Sequence, residues 1–297
     1  MKIKSLNKIN RNNEEVYNIE VADNNNYYAN NILVSNCHSI KKANEISNIL
    51  KQIDTPHIFG FTGSLPESKI DEWNVIGKIG PVIFQKSSHE LRTENYIADA
   101  AIKILKIKYK TPPHLGRESK VFDPGEIYVK ENDFLYNNKY RNGIISTICK
   151  NLDKNILILV DRIEHGKLIY DIIKESSPLK KVYYIKGDME IEERENIRAL
   201  MEIDDNIICI AIAKIFSTGI NIRNLHYIFF ALAGKAKVNI IQSIGRGLRL
   251  HENKQKLVIF DIADDLKYGE RHLIKRRELY EKEKINYEIR NFNEKDN

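Results

Sequence analysis

NILILVD at 155–161, KVYYIK at 181–186, IICIAIA at 207–213, YIFFAL at 227–232 and KLVIFDI at 256–262 decide the fold of this chain. Most are nearly continuous apolar runs, the pattern of strands covered on both faces of a parallel sheet. Between them, residues 144–152, 164–175, 190–201 and 238–248 place apolar side chains at helical spacing. Strand and helix in steady alternation predict an α/β fold built on a parallel sheet.

Working outward, the grammar loosens. Residues 97–142 begin with a strand-like run at 101–109 and turn polar at Thr111-Pro112-Pro113 and Asp123-Pro124-Gly125. This reads as the passage between two domains. Further upstream, Ile40, Ala43, Ile46, Ile49, Leu50 and Ile53 keep a helical period. A strand over 56–61 then ends in Thr62-Gly63-Ser64, and a helix through Trp73 and a strand over 81–84 follow. The last 30 residues read as a mixed-charge helical tail. The first 36 residues differ from everything after them. Eleven are Asn, and short strands are expected at 16–21 and 32–34 between polar turns. So polar a stretch cannot bury a core of its own and calls for a partner.

Composition narrows the classes. With 297 residues, 42% hydrophobic and 30% charged, the chain is long enough for about two globular domains and is not of disordered composition. It has no run of about 18 apolar residues, and Met1–Asn7 lacks the apolar core of a secretory signal. Three scattered cysteines exclude a disulfide framework and a four-cysteine zinc site. A reducing, cytoplasmic setting is therefore expected. The net charge of +6 permits a polyanionic partner without requiring one.

Open α/β sheets bind ligands beyond the carboxyl ends of their strands. Ser217-Thr218-Gly219-Ile220-Asn221 follows the third strand, and Gln242-Ser243-Ile244-Gly245-Arg246-Gly247-Leu248-Arg249 lies between the fourth and fifth. Arg246 and Arg249, three apart, would present two guanidinium forks on one helix face. Such forks suit a triphosphate whose charge spreads during phosphoryl transfer. Alone, two arginines would more often be a solvated face; the order of the surrounding motifs decides otherwise. His165 and His226 read as packing or surface residues, and Cys149 and Cys209 as core.

QSIGRGLR matches QxxGRxxR, motif VI of superfamily 2 helicases and translocases. In correct order before it, TGINIRNLHYIFFA resembles motif V, NILILVDRIEHGKLIYDII resembles motif IV, and FTGSLPES resembles motif III. Gly187 and Arg194 resemble the Gly…Arg element that precedes motif V. As a set, over about residues 37–290, these most resemble the UvsW-type phage repair helicases. The resemblance implies a RecA-like helicase C-terminal domain at 97–265, the tail of a first RecA-like domain at 37–96, and a helical tail at 266–297. It implies ATP and Mg2+ as cofactors and DNA as partner. Gly219, Asn221, Gln242, Gly245, Arg246 and Arg249 would meet the nucleotide, with Arg246 and Arg249 as arginine fingers. Thr62, Ser64, Asp161, Arg162, Lys214 and Thr218 would meet nucleic acid. A restriction-type translocase shares these motifs.

The phosphate cradle GxxxxGK[ST] is absent, since Gly77-Lys78-Ile79, Gly166-Lys167-Leu168 and Gly234-Lys235-Ala236 do not fit it. The acidic pair of motif II is absent too. The chain alone is not expected to hydrolyse ATP; ATP and Mg2+ would be held mainly by a separate N-terminal half. Cys37-His38 matches the end of motif II, and the expected Asp-Glu is replaced by VYNIEVADNNNYYANNILVSN. That segment resembles the C-terminal splicing region of inteins, and residues 1–36 resemble the C-terminal fragment of a split intein (Hint fold). The resemblance implies Cys37 as acceptor nucleophile and Asn36 as the cyclising residue. Ser35 stands in place of the usual histidine, Asn18 in place of Asp, Asn25 in place of His and Asn31 in place of Gly. Two rivals stay open: an unspliced, non-catalytic nucleic-acid-binding module, and a fragment of an intein-interrupted helicase gene.

Overall fold

In the computed structural model the described residues are 3–11, 14–21, 26–29, 32–36, 58–61, 68–110, 115, 123–187, 189–213, 222–232, 250–251, 254 and 256–294. The chain forms two compact units, Met1–Gln85 and Lys86–Asn297.

In the first unit, β1 (Ile3–Arg11) and β2 (Glu14–Val21) form an antiparallel pair with a register irregularity between Ile3 and Ser5. β3 (Asn26–Ala29) runs antiparallel to β4 (Ile32–Asn36), and β4 pairs in parallel with β5 (Ile58–Phe61), Leu33 opposite Ile58 and Asn36 opposite Phe61. The last strand of the Asn-rich leader thus shares a sheet with the strand before Thr62. Helix α1 (Lys69–Ile79) contains Trp73 as expected. The strand expected over 81–84 does not form. Pro81 has no N–H to contribute to a ladder, and Ile83 and Phe84, each 77% exposed, have no neighbouring strand among the described residues. The helix expected from Ile40 to Ile53 lies outside the described residues.

The second unit is built on a sheet of seven strands, every neighbouring pair parallel. In chain order these are β6 (Asp99–Lys108), β7 (Ile156–Val160), β8 (Lys181–Ile185), β9 (Ile207–Ile212), β10 (Tyr227–Phe230), β11 (Lys256–Asp264) and β12 (Asn286–Asn293). Their spatial order is β12-β6-β11-β10-β7-β9-β8. The five apolar runs all became strands, and β7 and β9, each flanked by strands on both sides, are almost wholly buried. Helices cover both faces. On one, Ile197 and Met201 of α6 (Ile191–Ile203) and Leu273 and Tyr280 of α7 (Lys267–Lys282) pack against Leu157, Cys209 and Ile228. On the other, Ile145 and Cys149 of α4 (Lys139–Lys150) and Ile169 and Ile173 of α5 (Ile163–Ser176) pack against Ile158, Ile208 and Phe229. Alternate residues of each strand feed the two cores, which is why the strands read as continuous apolar runs.

Two expectations need correction. Residues 97–142 are not merely a passage: β6 lies inside the sheet between β12 and β11, and α3 (Pro124–Asn137) and α4 follow it. α4 begins at Lys139 rather than 144, because the Asn138 side chain accepts from the Arg141 N–H (2.8 Å) and caps it. The tail is not wholly helical either. After α7, β12 pairs with β6 from Asn286 opposite Ala101 to Asn293 opposite Lys108. Its edge position leaves most of its side chains in water, so no apolar run announces it. A short helix, α2 (Ser88–Thr93), opens the unit with a reciprocal cap between Ser87 and Glu90.

Candidate nucleotide and nucleic-acid face

β9 ends at Ile212 and β10 at Phe230, so the segments carrying Lys214, Thr218, Gly219 and Asn221, and Gln242, Gly245, Arg246 and Arg249, leave the sheet at its carboxyl edge. That is the edge at which such sheets hold ligands. These eight residues, with Thr62, Ser64 and Cys37, lie outside the described residues. Ser35 and Asn36 form the end of β4.

Asp161 and Arg162 are described, directly after β7. Asp161 accepts from the Tyr136 hydroxyl (2.8 Å), and with burial this pushes the phenol well above its usual range. Arg162 precedes α5, pairs with Asp133 (2.5 Å) and lays its guanidinium over the Tyr136 ring, 4.8 Å from the centroid. Its side chain is 42% exposed. Arg162 is therefore held in one orientation with donors still facing water, as a phosphate contact requires. Arg194 turns inward instead, donating to the Met189 carbonyl (3.1 and 2.8 Å) at the start of α6.

Behind this edge is a buried polar cluster that sequence reasoning did not single out. Arg141, fully buried, donates from Nε to Asp264 Oδ1 (3.0 Å) and from Nη2 to the Ala231 carbonyl (3.1 Å). The Tyr109 hydroxyl donates to the same Asp264 oxygen (2.5 Å). Helix α4 is thus tied to the carboxyl ends of β6, β10 and β11. Burial opposes the Arg141 charge, but Asp264 and Tyr109 outweigh it and raise its affinity for the proton. Arg141 Nη1 has no hydrogen-bond partner within this buried space. A second cluster lies on the other face, where Asp261 Oδ2 accepts from Arg276 Nε (2.7 Å) and the Tyr280 hydroxyl (2.8 Å). One signal could have exposed both: Asp261 and Asp264 interrupt the apolar run of β11, and a carboxylate in such a run needs a buried partner.

The two histidines pack, as read. His165 is buried against Tyr136, with Nε2 3.3 Å from Asn142 Oδ1; burial and then the Arg141 charge push it down to about 3. His226 bonds Asn224 (3.0 Å) and is also lowered by burial. Cys149 and Cys209 are buried free thiols, Cys209 pushed up to about 12 by burial. Among the described residues no group of His, Cys, Asp or Glu could hold a metal ion, and no helix is long and apolar enough to cross a membrane.

Residues 140–251 match the helicase conserved C-terminal domain. The ATP-dependent DNA helicase UvsW of Enterobacteria phage T4 is 28% identical over 277 residues, covering 86% of this chain and 53% of that protein. Putative helicase 22 of a Sulfolobus islandicus filamentous virus is 25% identical over 231 residues, covering 73% of this chain and 40% of the relative. The chain therefore spans about half, or less, of the length of these relatives. The crystal structure of T4 UvsW superposes with a TM-score of 0.53 at 27% identity, over 88% of this chain and 53% of that one. A fragment of a putative HsdR subunit of a type I restriction enzyme from Vibrio vulnificus gives 0.60 at 15% identity, over 89% of this chain and 48% of that one, a likeness of fold. Together these support a RecA-like helicase C-terminal domain and homology to UvsW-type superfamily 2 helicases.

Proposed function

We propose that residues 37–297 supply the C-terminal half of a superfamily 2, ATP- and Mg2+-dependent DNA helicase or translocase, and that residues 1–36 are a split-intein fragment joining it to a separately encoded half. The observation that carries this reading is the junction. An intein-like block ends at Asn36, and Cys37-His38 continues as the second half of a helicase motif whose acids are absent from the chain. Within the proposed domains, 37–96 close the first RecA-like domain and 97–265 form the second.

The chemistry needs no cofactor. The Cys37 thiolate attacks the thioester that joins the partner's helicase half to the thiol at the start of its intein fragment, taking the acyl group to form a branched chain and freeing that fragment's thiol. The Asn36 side-chain nitrogen then attacks its own carbonyl carbon, breaking the Asn36–Cys37 bond and freeing the Cys37 amine. That amine takes the acyl group from its own sulfur, leaving an ordinary peptide bond. Ser35 stands beside the reacting carbonyl in place of the histidine that usually assists. In the spliced product, ATP supplies the free energy for movement. Arg246 and Arg249 would face its outer phosphates, with Gln242, Gly245, Gly219 and Asn221 framing the site. Thr62, Ser64, Asp161, Arg162, Lys214 and Thr218 would touch the DNA backbone, a salt-sensitive contact.

The test is to mix the chain with a matching N-terminal intein fusion. A ligated product and a free peptide of 36 residues are expected. Cys37→Ala abolishes ligation and Asn36→Ala stalls the branched chain; normal ligation by Asn36→Ala removes the mechanism. In the ligated protein, Arg249→Ala lowers ATP turnover by about 10³-fold or more if it is an arginine finger. Unchanged turnover removes that role.

One observation favours a second reading. β4, the last strand of the leader, pairs with β5 beyond the junction. A leader kept as part of that sheet would make the chain an unspliced nucleic-acid-binding module. Under that reading, mixing yields no ligation while DNA binding by the chain alone persists.

A further inference from the structure

Helix α7 carries four cations on one face. Lys267, Arg271, Lys275 and Lys282 follow helical spacing and lie opposite Leu273, Arg276 and Tyr280, which are buried. Arg271, Lys275 and Lys282 are exposed and Lys267 is half-buried. Lys267 is within electrostatic reach of Glu131 and Arg271 lies over the Tyr268 ring (5.9 Å to the centroid), while Glu278 is the one acid on the same face. Of the nearby acids, Glu270 pairs with Lys106 (3.3 Å), Glu288 with Lys103 (3.7 Å), and Glu281 accepts from the Tyr287 hydroxyl (2.9 Å). The stripe therefore carries net positive charge over about 22 Å, taking ~1.5 Å per residue.

The opposite face shows why this stripe is a platform and not a frayed tail. Arg276 and Tyr280 both donate to Asp261 inside the core, and after α7 the chain returns to the sheet as β12. Anchored on both sides, the helix presents its cations with the backbone already ordered, so a ligand need only fix side chains. An extended array of cations with one acid complements a chain of phosphates.

We propose that the Lys267–Arg271–Lys275–Lys282 face of α7 is a nucleic-acid backbone site, taking three or four phosphates of single-stranded DNA without reading its bases. This goes beyond the motif contacts proposed above and requires neither splicing nor ATP hydrolysis.

The test is anisotropy of a fluorescein-labelled dT30 oligonucleotide with the full chain, titrated between 50 and 200 mM salt. At roughly 0.7 per phosphate, four contacts contribute about −3 to the slope of log affinity against log salt. The variant K267Q/R271Q/K275Q/K282Q is expected to lose about 2–3 of that slope and about tenfold or more in affinity at 100 mM salt. The comparison variant K139Q/K150Q/K167Q/K174Q removes equal charge from α4 and α5 on the other face of the sheet. It is expected to change the slope by less than about 1. Unfolding midpoints of all three proteins should agree closely, since surface substitutions are usually worth within about 0.5 kcal/mol and only Lys267 is half-buried. The site is refuted if both variants lose the same slope, if the stripe variant binds like the parent, or if the parent does not bind dT30. None of these outcomes bears on ligation at Cys37 or on the Arg249 test.

Discussion

Acid should unfold the second unit through His165. The ring is enclosed by Tyr136, Asn142 and the Arg141–Asp264 pair, and Asn142 Oδ1 accepts from Nε2–H, so Nδ1 is the basic nitrogen. Nδ1 has no hydrogen-bond partner in its buried setting. Asp264 draws a proton toward the ring, but burial and the Arg141 charge outweigh it and push His165 from 6.5 down to about 3. The unfolded chain therefore binds a proton that the native one refuses between those two values. Stability from this group is fully present above about pH 6.5 and is lost as pH falls toward 3, at up to ~1.4 kcal/mol per pH unit. Between pH 6.5 and 4 the loss is about 3 kcal/mol, a large share of ordinary domain stability. The assay is urea unfolding at a series of pH values for the parent and for His165→Phe, which keeps a ring beside Tyr136 but cannot titrate. His226 is displaced in the same direction, so the variant keeps a residual slope, and the difference between the two proteins is the quantity to read. Equal pH dependence in both would refute the argument.

Three further outcomes are expected. Arg141→Met leaves Asp264 buried with Tyr109 among its remaining partners and should cost about 3–5 kcal/mol, measured by chemical denaturation; a loss below about 1 kcal/mol would mean that the pair contributes little. Gly269→Ala places a methyl 2.2 Å from the Asp264 carbonyl oxygen, a backbone atom that cannot swing away, and should destabilise by about 1–3 kcal/mol. An unchanged unfolding midpoint would show that α7 can shift. Arg162→Ala should alter stability by no more than about 1 kcal/mol, because its pair with Asp133 is exposed, while lowering the salt slope of DNA binding by about 1. An unchanged slope would take Arg162 out of the DNA contact.

What could be read from the chain followed burial. β7 and β9 are covered on both faces, and nothing but a continuous apolar run satisfies such a place, so both were legible residue by residue. β12 was not, because an edge strand leaves Glu288, Arg290 and Asn291 in water and its pairing depends on backbone groups that every sequence has. β6 was seen as strand-like but misassigned to a passage, since both of its neighbours come from the far end of the chain. The helicase C-terminal domain over 140–251 was legible because its motifs recur in a fixed order. The Arg141–Asp264–Tyr109 cluster joins three distant stretches, and no local pattern links them.

The pairing of β6 also sets a schedule for synthesis. Asp99 meets Lys256, and Ala101 meets Asn286, each roughly 150 or more positions later. While a ribosome makes everything between, the apolar stretch from Ala100 to Ile107 has both flanks bare, and long-range closure of this kind is slow. β12 follows the other six strands of the sheet in chain order, and it is the one that covers the outer edge of β6. Deleting Asn286–Asn293 would therefore do more than remove one strand: it would turn a sealed margin into a sticky one, and the first symptom in cells would be inclusion bodies rather than a quietly weakened protein.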